Sequence, residues 1–219
     1  MKLDFLSDIN KEHYYSLRYP EIDRFMVKIL WWHFAVVSVF AIAIYYFQPS
    51  LYYPNPLSWR VIDLGATLWV VALGFLASLL PTLLRDKIKN HYYYRLLVAN
   101  CLFVYSYIIV FDTGGSIEGH FHFFVMFALL AVYSDWRLGW VGLVVVALHH
   151  GILNFIAPNW VYFYGRNDIS VVAHALPVAV AVLYLTWITE RRRKALGELA
   201  KINKEFEVAL RKKIPELNR

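Results

Sequence analysis

Six apolar stretches, each about as long as a bilayer is thick, leave this chain few choices of fold. They fall at 29–47, 61–83, 94–111, 119–135, 138–157 and 169–188. A hydrocarbon core about 30 Å thick is crossed by roughly 17–25 residues of helix. Within lipid every backbone N–H and C=O must find its partner inside the segment, so such runs form helices. The composition agrees: 59% of the 219 residues are hydrophobic and 18% aromatic, more apolar surface than a soluble domain of this size buries. The expected fold is all-α, a polytopic membrane protein with six transmembrane helices. The fourth and fifth runs are short and joined by Ser134-Asp135-Trp136-Arg137, which predicts a helical hairpin with Asp135 capping the fifth helix.

The flanks divide the chain into an N-terminal tail (1–28), a membrane domain (29–188) and a C-terminal connector (189–219). The first 28 residues are polar and aromatic, with Lys2, Lys11, Arg18, Arg24 and Lys28, and do not read as a cleavable signal peptide. Of the 22 Lys and Arg, twenty lie on one side of the six expected spans; only Arg60 and Arg166 lie on the other. By the positive-inside rule both termini are cytoplasmic. The membrane thus accounts for the net charge of +6, and no nucleic-acid partner is needed. After Trp187 the connector opens Arg191-Arg192-Arg193-Lys194. It continues with Leu196, Leu199, Ile202, Phe206 and Leu210, a spacing of three and four that marks an amphipathic helix up to Pro215. It reads either as the stem of a parallel dimer or as a basic helix on anionic lipid. The one cysteine, Cys101, lies within an apolar run and excludes a disulfide framework and a cysteine-based metal site.

Histidines carry the chemistry. His120 and His122 stand in Gly119-His120-Phe121-His122, His149 and His150 are adjacent, His174 opens the sixth run and His33 follows Trp31-Trp32. An ionisable side chain within the bilayer is costly unless paired or ligating. At about 1.5 Å rise per residue, His120 falls at the outer surface, His122 and His174 share a level just below it, and His149 and His150 lie near the midplane. His33 falls in the inner half. Residues two apart diverge by about 200°, so His120 and His122 share a ligand only if the helix begins after His120. Glu118, Asp63, Asp112 and Asn154 are the neighbouring oxygen groups, available to ligate or to fix imidazole tautomers.

Three readings of the cluster stand. Heme b would take axial pairs at matched depth, His122 with His174 and His33 with His149 or His150, with Arg60 or Arg166 on the propionates. A transition-metal centre (Fe, Cu or Zn) would gather imidazoles from His120, His122, His149, His150 and His174, with Glu118 assisting. The third is an interhelical hydrogen-bond network. A metalloenzyme, oxidase or hydrolase, would use Glu118 or Asp112 as base, but neither a His-Glu-x-x-His motif nor repeated histidine boxes are present. A b-type electron-transfer cytochrome is compatible with two heme pairs. No broken-helix pair argues for a transporter. The loop 158–168, with Tyr162 and Tyr164, reads as an interfacial loop or a lid over the outer mouth.

The stretch Thr113-Gly114-Gly115-Ser116-Ile117-Glu118-Gly119-His120-Phe121-His122-Phe123-Phe124-Val125-Met126, then Tyr133-Ser134-Asp135-Trp136-Arg137, Leu148-His149-His150 and His174-Ala175, resembles the N-terminal multi-helix sensor region of bacterial transducers. That module precedes the output domains of methyl-accepting chemotaxis proteins, diguanylate cyclases and histidine kinases, and His33 matches a histidine in its first helix. The resemblance covers roughly 25–190. It implies a sensory module in a bacterial inner membrane whose histidines hold a cofactor or metal. A homodimer or larger oligomer and a cytoplasmic signalling partner go with it. Those relatives continue into a signalling domain, whereas this sequence ends soon after the connector. The expectation is therefore a shortened transducer, or a free-standing one signalling through a partner.

Overall fold

The computed structural model describes the backbone of residues 2–51 and 63–217, and side chains for 19–47, 63–169, 171–206 and 208–210. Among the described residues six α-helices make up the fold: α1 (Lys2–Leu51), α2 (Leu64–Leu84), α3 (His91–Asp112), α4 (Ile117–Leu130), α5 (Trp136–Ile156) and α6 (Asp168–Leu217). Five carry segments long and apolar enough to cross a membrane; the sixth, Ile117–Tyr133, is shorter. The chain is a multi-pass membrane protein in contact with lipid.

Polar caps set the helix starts where the sequence offers them. Asp63 accepts from the Ala66 N–H at 2.7 Å, Asn90 from the Tyr92 N–H at 2.9 Å and Ser116 from the Gly119 N–H at 3.1 Å. Asp135 accepts from the Arg137 N–H at 3.2 Å, as the hairpin reading expects. A 3₁₀ turn at Ala131–Tyr133 closes α4, and Ser134, at φ 53°, reverses the chain.

The outer helices are longer than the apolar runs alone suggest. α1 and α6 each run 50 residues without interruption, about 75 Å of helix. The tail before residue 29 is therefore helical and continuous with the first span. At the other end α6 passes through Pro215 to Leu217, where the periodicity was expected to break. Arg60, one of the two cations expected on the outer side, lies outside the described residues.

α3 is the central post, with α1, α2, α4 and α5 packed around it, while α6 lies mainly on α5. Its Tyr94, Leu102, Phe103, Tyr105 and Ile108 are fully buried. Polar links pin it to α2: the Tyr105 hydroxyl donates to the Gly74 carbonyl at 2.7 Å and meets Ser78 Oγ at 2.5 Å, and the Tyr94 hydroxyl donates to the Pro81 carbonyl at 3.0 Å. α5 approaches at Gly142, where a Cβ would stand 2.6 Å from Phe103 and 2.7 Å from Phe127; only a hydrogen fits.

At the charge-rich end, Asp135 is held among cations. Arg137 donates to both of its carboxylate oxygens at 2.8 Å, and Arg95 pairs with it at 3.3 Å while lying 4.2 Å over the Tyr19 ring. Burial alone would raise the Asp135 carboxyl, but the hydrogen bonds from Arg137 and the charges of Arg95 and Arg137 prevail and hold it below its ordinary value. Arg192, leaving the membrane on α6, donates to the Ala131 carbonyl at 3.2 Å and ties the connector to this turn.

Candidate functional site

Two histidine groups form, and they differ from the pairs that depth alone predicts. His120 (α4), His150 (α5) and His174 (α6) meet with ring centroids 5.3 Å apart for His120–His150, 5.3 Å for His120–His174 and 5.9 Å for His150–His174. His33 (α1) and His122 (α4) form a separate pair at 5.5 Å. The expected axial pairings, His122 with His174 and His33 with His149 or His150, are therefore not the ones brought together. The reason is rotation. α4 begins at Ile117, before His120, so the 200° between His120 and His122 sends one toward α5 and α6 and the other toward α1 and α3. His120 is buried at 7% exposure rather than lying at the surface.

Backbone carbonyls orient several rings. The His120 Nδ1–H donates to Ser116 O at 2.7 Å, the His150 Nδ1–H to Val146 O at 2.9 Å and the His33 Nδ1–H to Ile29 O at 2.8 Å. A carbonyl accepts only, so each neutral ring carries its proton on Nδ1 and its lone pair on Nε2. For His120 and His150, and for His149, Nε2 is buried without a hydrogen-bond partner. Buried polar atoms are rarely left so, which makes this set a candidate binding place. Ser106 Oγ meets His122 Nδ1 at 2.9 Å. His149 stands beside the first group, edge-on to His150 at 5.2 Å, and stacks on Tyr107 at 4.2 Å.

A cavity of about 340 Å³ lies between α4, α5 and α6, and among the described residues the three imidazoles of the first group are the only polar side chains in its lining. Tyr162 closes the group from the loop side, nearly parallel to His120 and 5.4 Å from His174. The loop is seated on Gly115, at φ 77°, where a Cβ would lie 2.6 Å from the Tyr162 backbone. Burial pushes the Tyr162 hydroxyl up to about 12, so it stays protonated.

The oxygen groups take other roles. Asn154 Nδ2 donates to Asp168 at 2.7 Å, and Asn154 Oδ1 accepts from the Asn167 N–H at 3.0 Å, fastening the end of α5 to the start of α6. Asp168 also takes Arg166, which stacks on Phe155 at 4.3 Å; these contacts hold the Asp168 carboxyl below its ordinary value. Glu118 is exposed in the first turn of α4, two residues and half a turn from His120. Asp63 caps α2, and Asp112 is buried at the end of α3. Among the described residues no set of three or more His, Cys, Asp or Glu stands arranged to hold a metal ion. Sequence reasoning missed Ser106 and Tyr107. Their signal was a run of three hydroxyl side chains, Tyr105-Ser106-Tyr107, inside an apolar helix.

Comparison with known proteins adds one relative. Transducer protein Htr8 of Halobacterium salinarum is 34% identical over 110 residues, 45% of this chain and 16% of that protein. No family model and no solved structure matches the chain. The likeness is thus to a segment of a much longer transducer, and it points to a sensory, transducer-related membrane module.

Proposed function

We propose that the chain is a sensory, signal-transducing module of a cytoplasmic membrane, both ends inside, whose sensing site is the His120–His150–His174 group and whose resident cofactor is a transition-metal ion. One observation carries this: imidazoles from three helices lie within 6 Å of one another, two with buried, unpartnered Nε2 lone pairs fixed by Nδ1–H bonds to carbonyls. That bond to a backbone oxygen is the usual outer support of a metal-ligating histidine. Two imidazoles on one tetrahedral ion at about 2.0–2.1 Å have ring centroids roughly 5 Å apart, close to the spacing here. Further side-chain rotation is needed to bring three donors to one point. Heme b is the less favoured cofactor, because its axial rings must face each other across a macrocycle and the depth-matched pairs do not form. The ion would serve as a centre whose charge or coordination changes with the signal.

The transducer likeness supports signalling as the output. His174 sits within two turns of the start of α6, and α6 continues unbroken past Arg192, so a shift at the site is carried along one rigid element toward a cytoplasmic partner. The test is oxidised and reduced absorption spectra with elemental analysis on one preparation. Stoichiometric metal without a Soret band, lost in His120→Ala and in His150→Ala separately, is expected. Absence of both metal and heme, or metal retained in both variants, refutes the assignment.

A further inference from the structure

The cavity beside the three histidines names a ligand class. Resting on the reading of that group as the sensing site, we propose that it binds a lipid-borne hydroquinone, which enters sideways from the bilayer and directs a hydroxyl to His120 and His150. Its volume of about 340 Å³ is that of a small-molecule site. Apart from the three imidazoles its described walls are apolar: Phe121, Phe123 and Phe124 of α4, Val146 and Ala147 of α5, Val178 of α6. Ile117 and Phe121, on the rim, are more than half exposed on a surface turned to lipid. A water-borne polar ligand finds partners only at the imidazoles and apolar wall elsewhere. An amphipathic lipid-soluble molecule matches both parts.

Hydrogen-bond chemistry then selects the head group. The Nδ1 protons of His120 and His150 are committed to Ser116 O and Val146 O, so their Nε2 atoms can only accept. At 7% and 5% exposure neither reaches water. A partner must bring an O–H. A hydroquinone has two and the oxidised quinone has only carbonyls, so the site distinguishes the two redox forms by which one leaves the lone pairs unsatisfied. The preference is read in the ion-free protein, where the O–H donates to Nε2 directly and the aromatic walls receive the ring.

The probe is decyl-benzohydroquinone, kept reduced, against its benzoquinone, titrated by equilibrium dialysis onto the full chain in nanodiscs before and after chelator treatment. Saturable binding to the chelator-treated protein, about tenfold tighter for the hydroquinone, is expected. Ala147→Trp and Ala173→Trp, exposed positions on the cavity lining, should each weaken it about tenfold with unchanged melting and unchanged metal uptake. Equal affinity for both redox forms, or full binding in both filled variants, overturns the proposal. Metal uptake without hydroquinone binding overturns this inference and leaves the metal reading standing; hydroquinone binding by a protein that never takes up metal or heme does the reverse.

Discussion

Ser106 gives one buried histidine a partner of its own. Fully buried on α3, it meets His122 at 2.9 Å and gives that ring a partner away from the His120 group. Ser106→Ala should cost about 0.6 kcal/mol, the average for a membrane hydrogen bond, and no more than about 2. A double-mutant cycle with His122→Phe, read by melting in detergent, checks it: additive losses would mean the two side chains are not coupled. Asp135 carries more. Removing one partner of a buried pair leaves Arg95 uncompensated and costs about 3–5 kcal/mol, so Asp135→Asn should melt far below wild type at neutral pH. Because its folded value lies below the ordinary carboxylate value of about 3.9, its contribution is complete above that pH and is lost as pH falls through the folded value. Between about pH 6 and about pH 3 the wild type should therefore lose more stability than Asp135→Asn. Parallel losses would show that another group governs acid unfolding.

At the scale of elements, the apolar runs located the helices and misjudged their ends. Hydropathy registers lipid, whereas helix propensity continues wherever nothing interrupts it, so α1 and α6 overrun their apolar segments on the charge-rich side. The histidines were legible as a set because each is anomalous in its helix, and the His120–His122 divergence followed from helical geometry. Their partners were not legible: depth comes from counting residues, but the rotation of each helix is set by packing across the interface. Gly142 is where that packing is tightest. Gly142→Ala should force Phe103 or Phe127 to yield and cost about 1–3 kcal/mol. Since Phe103 also stacks with Phe123, which stands 6.0 Å from the His150 ring, metal uptake should weaken along with melting. A variant that melts normally and binds normally would show that the α3–α5 contact has room to spare.

For the whole molecule, sidedness turns on the shortest helix. Ile117–Tyr133 spans 17 residues, about 25 Å, against a core of about 30 Å. If it crosses, six passes leave both ends of the chain on one side, and that side holds twenty of the 22 Lys and Arg. Were it only a re-entrant segment, α5 and α6 would be inverted relative to α1–α3 and the basic connector would face outward, against the positive-inside rule. Three side chains exposed in this structure decide it: Asp86 between α2 and α3, Arg166 between α5 and α6, and Lys201 on the connector, whose side chains are 84%, 54% and 78% exposed. Each is changed to cysteine on a Cys101→Ala background, which removes only a buried thiol. A membrane-impermeant maleimide should label Arg166→Cys on intact cells and leave Asp86→Cys and Lys201→Cys unreacted; inverted vesicles should give the converse. Labelling of Lys201→Cys from outside with Asp86→Cys protected would mean that α4 does not cross. The route proposed for the signal, from His174 along α6 to a cytoplasmic partner, would then lead to the wrong side of the membrane.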